Sequence, residues 1–337
     1  MAPGNRKNPQ RAASSESSYS LMEYQRDFPD DETCLRWLWT TRYAPDGEHA
    51  FCPRCEATTS FKRYETKQQR QSWTCTTCSL HIHPTAGTIF HKSSTALHLW
   101  FYAMYLMTST RCGISAKQLE RELGVTYKTA WRMFTLIRNE LMTQDDDEKL
   151  SGVVEMDEMY VGGKPRNEDR RAFANARNPR SAAIKWGIET KTQVFGAVER
   201  SRVQWIDGEP RPTVTRHGKV AAYVVPSRRK ATLMGHVAKR VDPESVVYTD
   251  AAHTYTSVPS KRHETVAHHD RIYVSGDVHT NTIEGFWSLV KRGIDGTHHA
   301  VSPKWLQGYL NEYVWRYNHR DDPRAMFLSL LIRAARP

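Results

Sequence analysis

What this sequence lacks narrows it first. No run of about 18 apolar residues occurs in the 337-residue chain, so no segment reads as a membrane-spanning helix. The opening stretch, MAPGNRKNPQRAASSESS, has no apolar centre of the kind a secretory signal needs. A soluble, cytoplasmic protein is expected. Acid is in deficit: 37 Asp and Glu stand against 48 Lys and Arg, a formal net charge of +11. That surplus of cations selects a polyanionic partner, nucleic acid before a membrane surface. Cysteine is scarce, and four of the six fall in two C-x-x-C pairs. In an intracellular chain of this length, such pairs read as metal binding rather than disulfides. The remaining Cys34 and Cys112 read as buried thiols.

What is present falls into blocks. Residues 1–18 are polar and aperiodic, and form an expected disordered tail. Residues 19–92 are an N-terminal segment: short helices between Ser20 and Tyr43, broken at Phe28-Pro29, and then a zinc ribbon. Cys52-Pro-Arg-Cys55 and Cys75-Thr-Thr-Cys78 are two knuckles that would close one tetrahedral four-thiolate site around a structural Zn²⁺. Lys62, Arg63, Lys67, Arg70 and Trp73 would give the ribbon a basic surface. His81 and His83 stand nearby as spare ligands.

Residues 93–143 form a helical block. STALHLWFYAMYLMTSTRC is apolar on nearly every face, which predicts a helix buried between domains. Ser115-AKQLERE-Leu123-Gly124-Val125-Thr126-YKTAWRMFTLIRNEL then reads as two capped helices around a glycine turn, a helix-turn-helix. Its second helix would present Tyr127, Lys128 and Arg132 to base edges in a major groove. Residues 144–150, beginning QDDDE, read as an acidic linker.

From 151 to 337 the pattern is that of an α/β domain. Strands are predicted at Val153–Val161, Gln193–Glu199, Ala221–Val225, Ser245–Thr249 and Thr265–His268, with a helix over Ala231–Arg240. The basic stretch Lys164–Lys191 reads as a loop that orders on DNA. A helix beginning at Ser302-Pro303 would cover the sheet, and a last helix, from about Pro323 to Ala335, would finish the fold.

The chemistry lies in acids that interrupt apolar strands. VVEMDEMYVGG carries Glu155, Asp157 and Glu158, and burying such carboxylates is costly unless a cation or hydrogen-bond donors meet them. Alternation puts Glu155 on the Asp157 face, as a neighbour supporting it, and Glu158 on the opposite face, solvated or paired. Asp250 closes the run SVVYTD. Glu284 lies in HTNTIEGFWSLVKR, where Ile283, Phe286, Trp287 and Val290 form an apolar helical face. Asn281, Glu284, Ser288 and Lys291 form a polar one. Asn281-x-x-Glu284 is also the spacing of a capping box.

The order VEMDEMYVGG, VYTDAAHTY and HTNTIEGFWSLVKRG, behind a CPxC…CxxC ribbon and a helix-turn-helix, resembles the DDE transposases of bacterial insertion sequences. It is most similar to the zinc-ribbon branch related to Merlin elements. The resemblance spans about Leu21 to Arg333. It implies a ribonuclease-H-like (retroviral-integrase-like) catalytic domain behind the two DNA-binding modules. Asp157, Asp250 and Glu284 would be the catalytic triad, holding two Mg²⁺ (or Mn²⁺) ions, with Asn281 as an alternative third ligand.

Lys291, the basic residue that follows the glutamate, would act with Arg292, His298 and His299 on DNA phosphates. The implied activity is metal-dependent strand cleavage and strand transfer at terminal inverted repeats and target DNA. A homodimer or higher oligomer associated with the bacterial nucleoid would pair two ends. The competing readings are an inactive, transposase-derived DNA-binding regulator and a ribonuclease-H-like nuclease that does not join.

Overall fold

The computed structural model describes residues 19–64, 72–110, 112–144, 148–163, 167–207, 212–250, 253–256, 258–266, 277–322 and 325–336. The expected 1–18 tail, Lys67, Arg70 and Asp145–Asp147 of the linker lie outside them. Two compact units result: Met1–Leu141 with Asp322–Pro337, and Met142–Asp321.

In the first unit, α1 (Leu21–Asp27) starts from a complete capping box between Ser20 and Glu23, and α2 (Asp31–Arg42) is capped by the Asp30 side chain. Four antiparallel strands follow in sequential order: β1 (His49–Cys52), β2 (Ala57–Tyr64), β3 (Ser72–Cys75) and β4 (His81–Ile82). Trp39 of α2 stacks flat on Trp73 of β3, with ring centroids 4.7 Å apart. This contact gives so small a sheet an apolar floor. Arg63 pairs with Glu32 at 2.6 Å and lies over Trp73, so it is held by the ribbon itself.

Next comes α3 (Leu97–Ser109), whose Trp100, Phe101, Met104 and Met107 are wholly buried. It forms the core of this unit, packed beside α2, α4 (Ala116–Leu123) and α5 (Tyr127–Leu136), where the sequence predicted a helix between domains. Ser115 and Thr126 cap α4 and α5. Gly124 between them has φ +63°, a left-handed conformation that glycine adopts without strain.

The C-terminal helix Met326–Ala334 belongs to this unit as well. The expected 151–337 catalytic domain is corrected accordingly, ending near Asp321. The reason is aromatic packing: Phe327 sits among Tyr19, Tyr24, Phe28 and Tyr105, with centroids 5.3–5.8 Å away. Cys112, expected buried, is exposed.

The second unit is built on β5 (Val153–Val161). Two helices follow, α6 (Asn167–Ala174) and α7 (Pro179–Thr190), where the sequence predicted a loop. Phe173 and Trp186 meet edge to face at 6.0 Å and hold the pair together. Then come β6 (Thr192–Glu199), a hairpin of β7 (Arg202–Gln204) and β8 (Thr213–Arg216), β9 (Val220–Val225), α8 (Lys230–Arg240), β10 (Val246–Asp250) and β11 (Arg262–Val266). Residues 267–268 of the last predicted strand lie outside the described residues. Helices α9 (Asn281–Gly293) and α10 (Leu306–Asn318) complete the unit.

Its sheet has the order β11-β10-β5-β6-β9. β6 runs antiparallel to both its neighbours, β5 and β9, while β10 and β11 run parallel to β5. Strand alternation divides the core in two. On one face Met159, Val194, Val198 and Ala222 pack under α9 and α10; on the other Met156, Phe195, Ala197 and Val247 pack under α8.

The outer edge of β9 is closed by side-chain amides. Asn318 exchanges two hydrogen bonds with the Val220 backbone at 2.8 and 2.9 Å. Gln144 does the same at Ala222, at 3.0 and 2.6 Å. Gln307 accepts from Val224 N and donates to Ala222 O. Three amides thus stand in for a further strand and leave this edge no template for aggregation.

Candidate active site

The parallel ladder pairs Val246 with Val153, Val247 with Val154 and Tyr248 with Glu155. Two residues further along each strand come Asp250 and Asp157, at the same level and on the same face. Helix α9 lies across that face, burying Ile283, Phe286, Trp287 and Val290 as the helical count predicted and presenting Glu284 from its first turn. Three carboxylates from distant parts of the sequence are therefore neighbours in electrostatic terms. Asp157 shows it: burial first, and then repulsion from Asp250 and Glu284, push its pKa up to about 6.

Asp157 and Glu284 each have a hydrogen-bond donor. The Trp287 indole N–H donates to Asp157 Oδ2 at 3.1 Å, and Thr280 Oγ1 donates to Glu284 Oε1 at 2.9 Å. The indole reaches Asp157 because Gly196 lies directly opposite Asp157 on β6. A Cβ at Gly196 would stand 2.4 Å from Trp287 Cζ2, so only glycine leaves room for the ring. The capping box whose spacing Asn281 and Glu284 share does not form. Thr280 precedes the helix, and Asn281 is its exposed first residue.

The helix is fixed by Glu155, which is fully buried. Its Oε2 accepts the backbone N–H groups of Thr282 and Ile283 at 2.7 and 3.0 Å. Its Oε1 accepts the Thr282 hydroxyl at 2.8 Å and Arg200 Nε at 2.5 Å. Arg200 also donates to the Asp277 and His279 carbonyls and lies over the Tyr248 ring. A carboxylate at a helix N-terminus completes orphan N–H groups and meets the positive end of the helix dipole.

Glu158, expected to be solvated or paired, faces the α8 side, and its Oε1 is closed off from solvent without a hydrogen bond. Burial, partly offset by the nearby Tyr255 hydroxyl, pushes its pKa up to about 7.

Lys291 and Arg292 are exposed in the last turn of α9. A π-helical turn, Ile294–His298, continues the helix and ends at His299, whose φ of +60° is unusual for a non-glycine residue.

In the N-terminal unit the thiols of Cys52, Cys55, Cys75 and Cys78 all lie within 4.8 Å of one another and could hold a metal such as zinc. Cys52 and Cys78 sulfurs are 3.5 Å apart and those of Cys55 and Cys75 3.9 Å. Tetrahedral zinc with bonds of about 2.3 Å spaces its sulfurs at about 3.8 Å. The Thr59 hydroxyl pushes the Cys75 thiol down to about 6, while the crowding sulfurs, Cys78 foremost, push Cys55 up to about 12. His81 bonds Thr74 at 3.0 Å instead of joining the cluster. Among the described residues no other group of His, Cys, Asp or Glu converges as tightly. The acids of the C-terminal unit are more widely spread than a single ion's shell. Tyr127, Lys128 and Arg132 are exposed on α5, with the Arg132 guanidinium 5.8 Å from the Trp100 ring.

Residues 149–318, nearly all of the second unit, match the ISXO2-like transposase domain. The chain belongs to that family. It is 32% identical over 289 residues to an uncharacterized protein in transposable element ISH50 of Halobacterium salinarum, covering 85% of this chain and 91% of that protein. An uncharacterized transposase-like protein of Haemophilus influenzae is 30% identical over 105 residues, 31% of this chain and 84% of the relative. No solved structure matches. The expected kinship with transposases of insertion sequences therefore holds, and no helix among the described residues is long and apolar enough to cross a membrane. Within this transposase, Trp287 and Gly196 are the site residues that sequence reasoning missed. The sequence alone shows Trp287 only as part of an apolar helical face, and a glycine in an apolar strand signals close approach only once its register is known.

Proposed function

We propose that this transposase binds double-stranded DNA at the terminal inverted repeats of its element and catalyses metal-dependent strand cleavage and strand transfer. The observation that carries the proposal is Asp157: half-buried, level with Asp250, and repelled by both Asp250 and Glu284. Gathering three acids costs free energy that a divalent cation reverses, and a hard, all-oxygen donor set suits Mg²⁺ or Mn²⁺. The strand order, three antiparallel strands followed by two parallel ones, supports a ribonuclease-H-like, integrase-like reading of the domain.

Asp157, Asp250 and Glu284 would hold a pair of such ions. Bound there, the ions supply an activated attacking oxygen and a stabilised leaving oxygen. The residues' own work is positioning. Trp287 orients Asp157, Thr280 orients Glu284, and Glu155 fixes the helix that carries the third acid. Glu284, close enough to Asp157 to repel it, is taken as that third ligand, with Asn281 as the alternative.

In the first step a water oxygen bonds to the scissile phosphorus, the P–O3′ bond breaks, and the leaving oxygen takes up a proton as a 3′-hydroxyl. In the second, that hydroxyl loses its proton as its oxygen attacks a target phosphorus, the target P–O3′ bond breaks, and the displaced 3′ oxygen takes up a proton. Lys291 and Arg292 would contact phosphates, and Tyr127, Lys128 and Arg132 would meet base edges. The four cysteines would hold one structural Zn²⁺. Two element ends require two active sites, so a homodimer or larger assembly is the working form. Incubating the protein with end-labelled terminal DNA should give nicked and then joined products with Mg²⁺ or Mn²⁺ and none with EDTA; metal-independent products, or none under any condition, would refute the proposal.

A further inference from the structure

The β7–β8 hairpin leaves the catalytic sheet between β6 and β9 with every residue of both strands exposed. It carries four of the nine large hydrophobic side chains exposed among the described residues: Val203 at 51%, Trp205 at 70%, Ile206 at 49% and Val214 at 42%. An apolar strip so concentrated marks an interaction surface.

A second irregularity lies at its base. Arg202 and Arg216 are directly opposed across the ribbon, where like charges repel. Arg202 donates to the neutral Ser151 hydroxyl at 3.1 Å. Arg216 forms long ion pairs with Glu199 at 3.7 Å and Glu148 at 4.0 Å, without a hydrogen bond to either. Both guanidiniums therefore keep N–H donors for a phosphate, which for Arg216 competes with two carboxylates. They would repel a second copy of a chain whose formal charge is +11.

Position names the occupant. Glu199, where β6 gives way to the hairpin, pairs with Val154, three residues from Asp157 on β5 and so about 10 Å along the strand. A duplex with its scissile phosphate at Asp157 covers that distance in less than one helical turn of about 34 Å. We propose that this hairpin grips duplex DNA beside the acids, Arg202 and Arg216 on its backbone and the Val203, Trp205, Ile206 and Val214 strip wedged into a groove. The inference rests on the transposase chemistry proposed above and adds a contact surface to it. Apolar wedges between base steps and arginines on flanking phosphates are a recurrent pairing in DNA distortion.

The test uses the full-length protein, a fluorescein-labelled duplex carrying the terminal repeat, and anisotropy titrations at several salt concentrations, with sedimentation velocity alongside. Trp205→Ala should weaken binding about fivefold or more while leaving the salt slope unchanged. Arg202→Ala with Arg216→Ala should reduce that slope by about 1.8, the value for two phosphates. If the unaltered protein binds and cleaves DNA but both variants match it in affinity and slope, the hairpin proposal falls and the transposase reading stands. A Trp205→Ala variant that binds DNA normally but changes oligomeric state would assign the strip to a protein contact and overturn the proposal. An unaltered protein that binds no DNA would overturn both.

Discussion

Asp157 shows how much a single position depends on residues far from it in sequence. Its carboxylate sits under the Trp287 indole, and the indole sits where Gly196 has no side chain. Gly196→Ala should therefore push the ring off Asp157 and cost about 1–3 kcal/mol, because the added methyl has nowhere to go. Trp287→Phe removes the donor and part of the ring, so in the double variant the alanine should cost less than it does alone. A double-mutant cycle in denaturant measures this coupling, and strict additivity would contradict it. At this scale the acids were legible in sequence because carboxylates inside apolar runs break a local rule. The glycine was not, because its role depends on a cross-strand register and a docked helix.

At the scale of elements, legibility followed the strength of local signals. The two C-x-x-C knuckles, the Ser115 and Thr126 caps and the Gly124 turn identify their elements from a few adjacent residues. Helices α6 and α7 escaped because charges of both signs and small residues dominate them, and no residue of α6 is buried, so the hydrophobic period that marks a helix is faint. The β7–β8 hairpin escaped because its two strands are short, mostly polar and exposed along their length.

The ribbon also yields a prediction about cohesion. Its sheet has few apolar contacts beyond the Trp39–Trp73 stack, so removing zinc should unfold it. Native mass spectrometry should find one zinc per chain, and a chelator should abolish hydrogen-exchange protection in β1 to β4 while sparing β5 and β6. Equal protection with and without the chelator would contradict a structural ion.

For the whole molecule, the unexpected feature is that the chain returns to its first unit after completing the second. Phe327 is the reason, inserted among four aromatic side chains from the N-terminal segment and α3. Phe327→Ala should cost that unit about 3–5 kcal/mol, seen as faster hydrogen exchange in α1 and α3 with β5 and β6 unchanged. Sequence periodicity predicted the helix but could not say which core it joins, since an apolar face fits any apolar surface.

The central claim, that Asp157, Asp250 and Glu284 form one metal-dependent centre serving both DNA cleavage and joining, has a direct test. Asp157→Asn, Asp250→Asn and Glu284→Gln are nearly isosteric, and none alters the ribbon or α4–α5. Each variant should bind terminal-repeat DNA with unchanged affinity yet lose nicking and joining together, by about a thousandfold or more, as expected when charge stabilisation at the reacting phosphate is removed. Cleavage at the normal rate by any one of them, or loss of joining with nicking intact, would contradict the account.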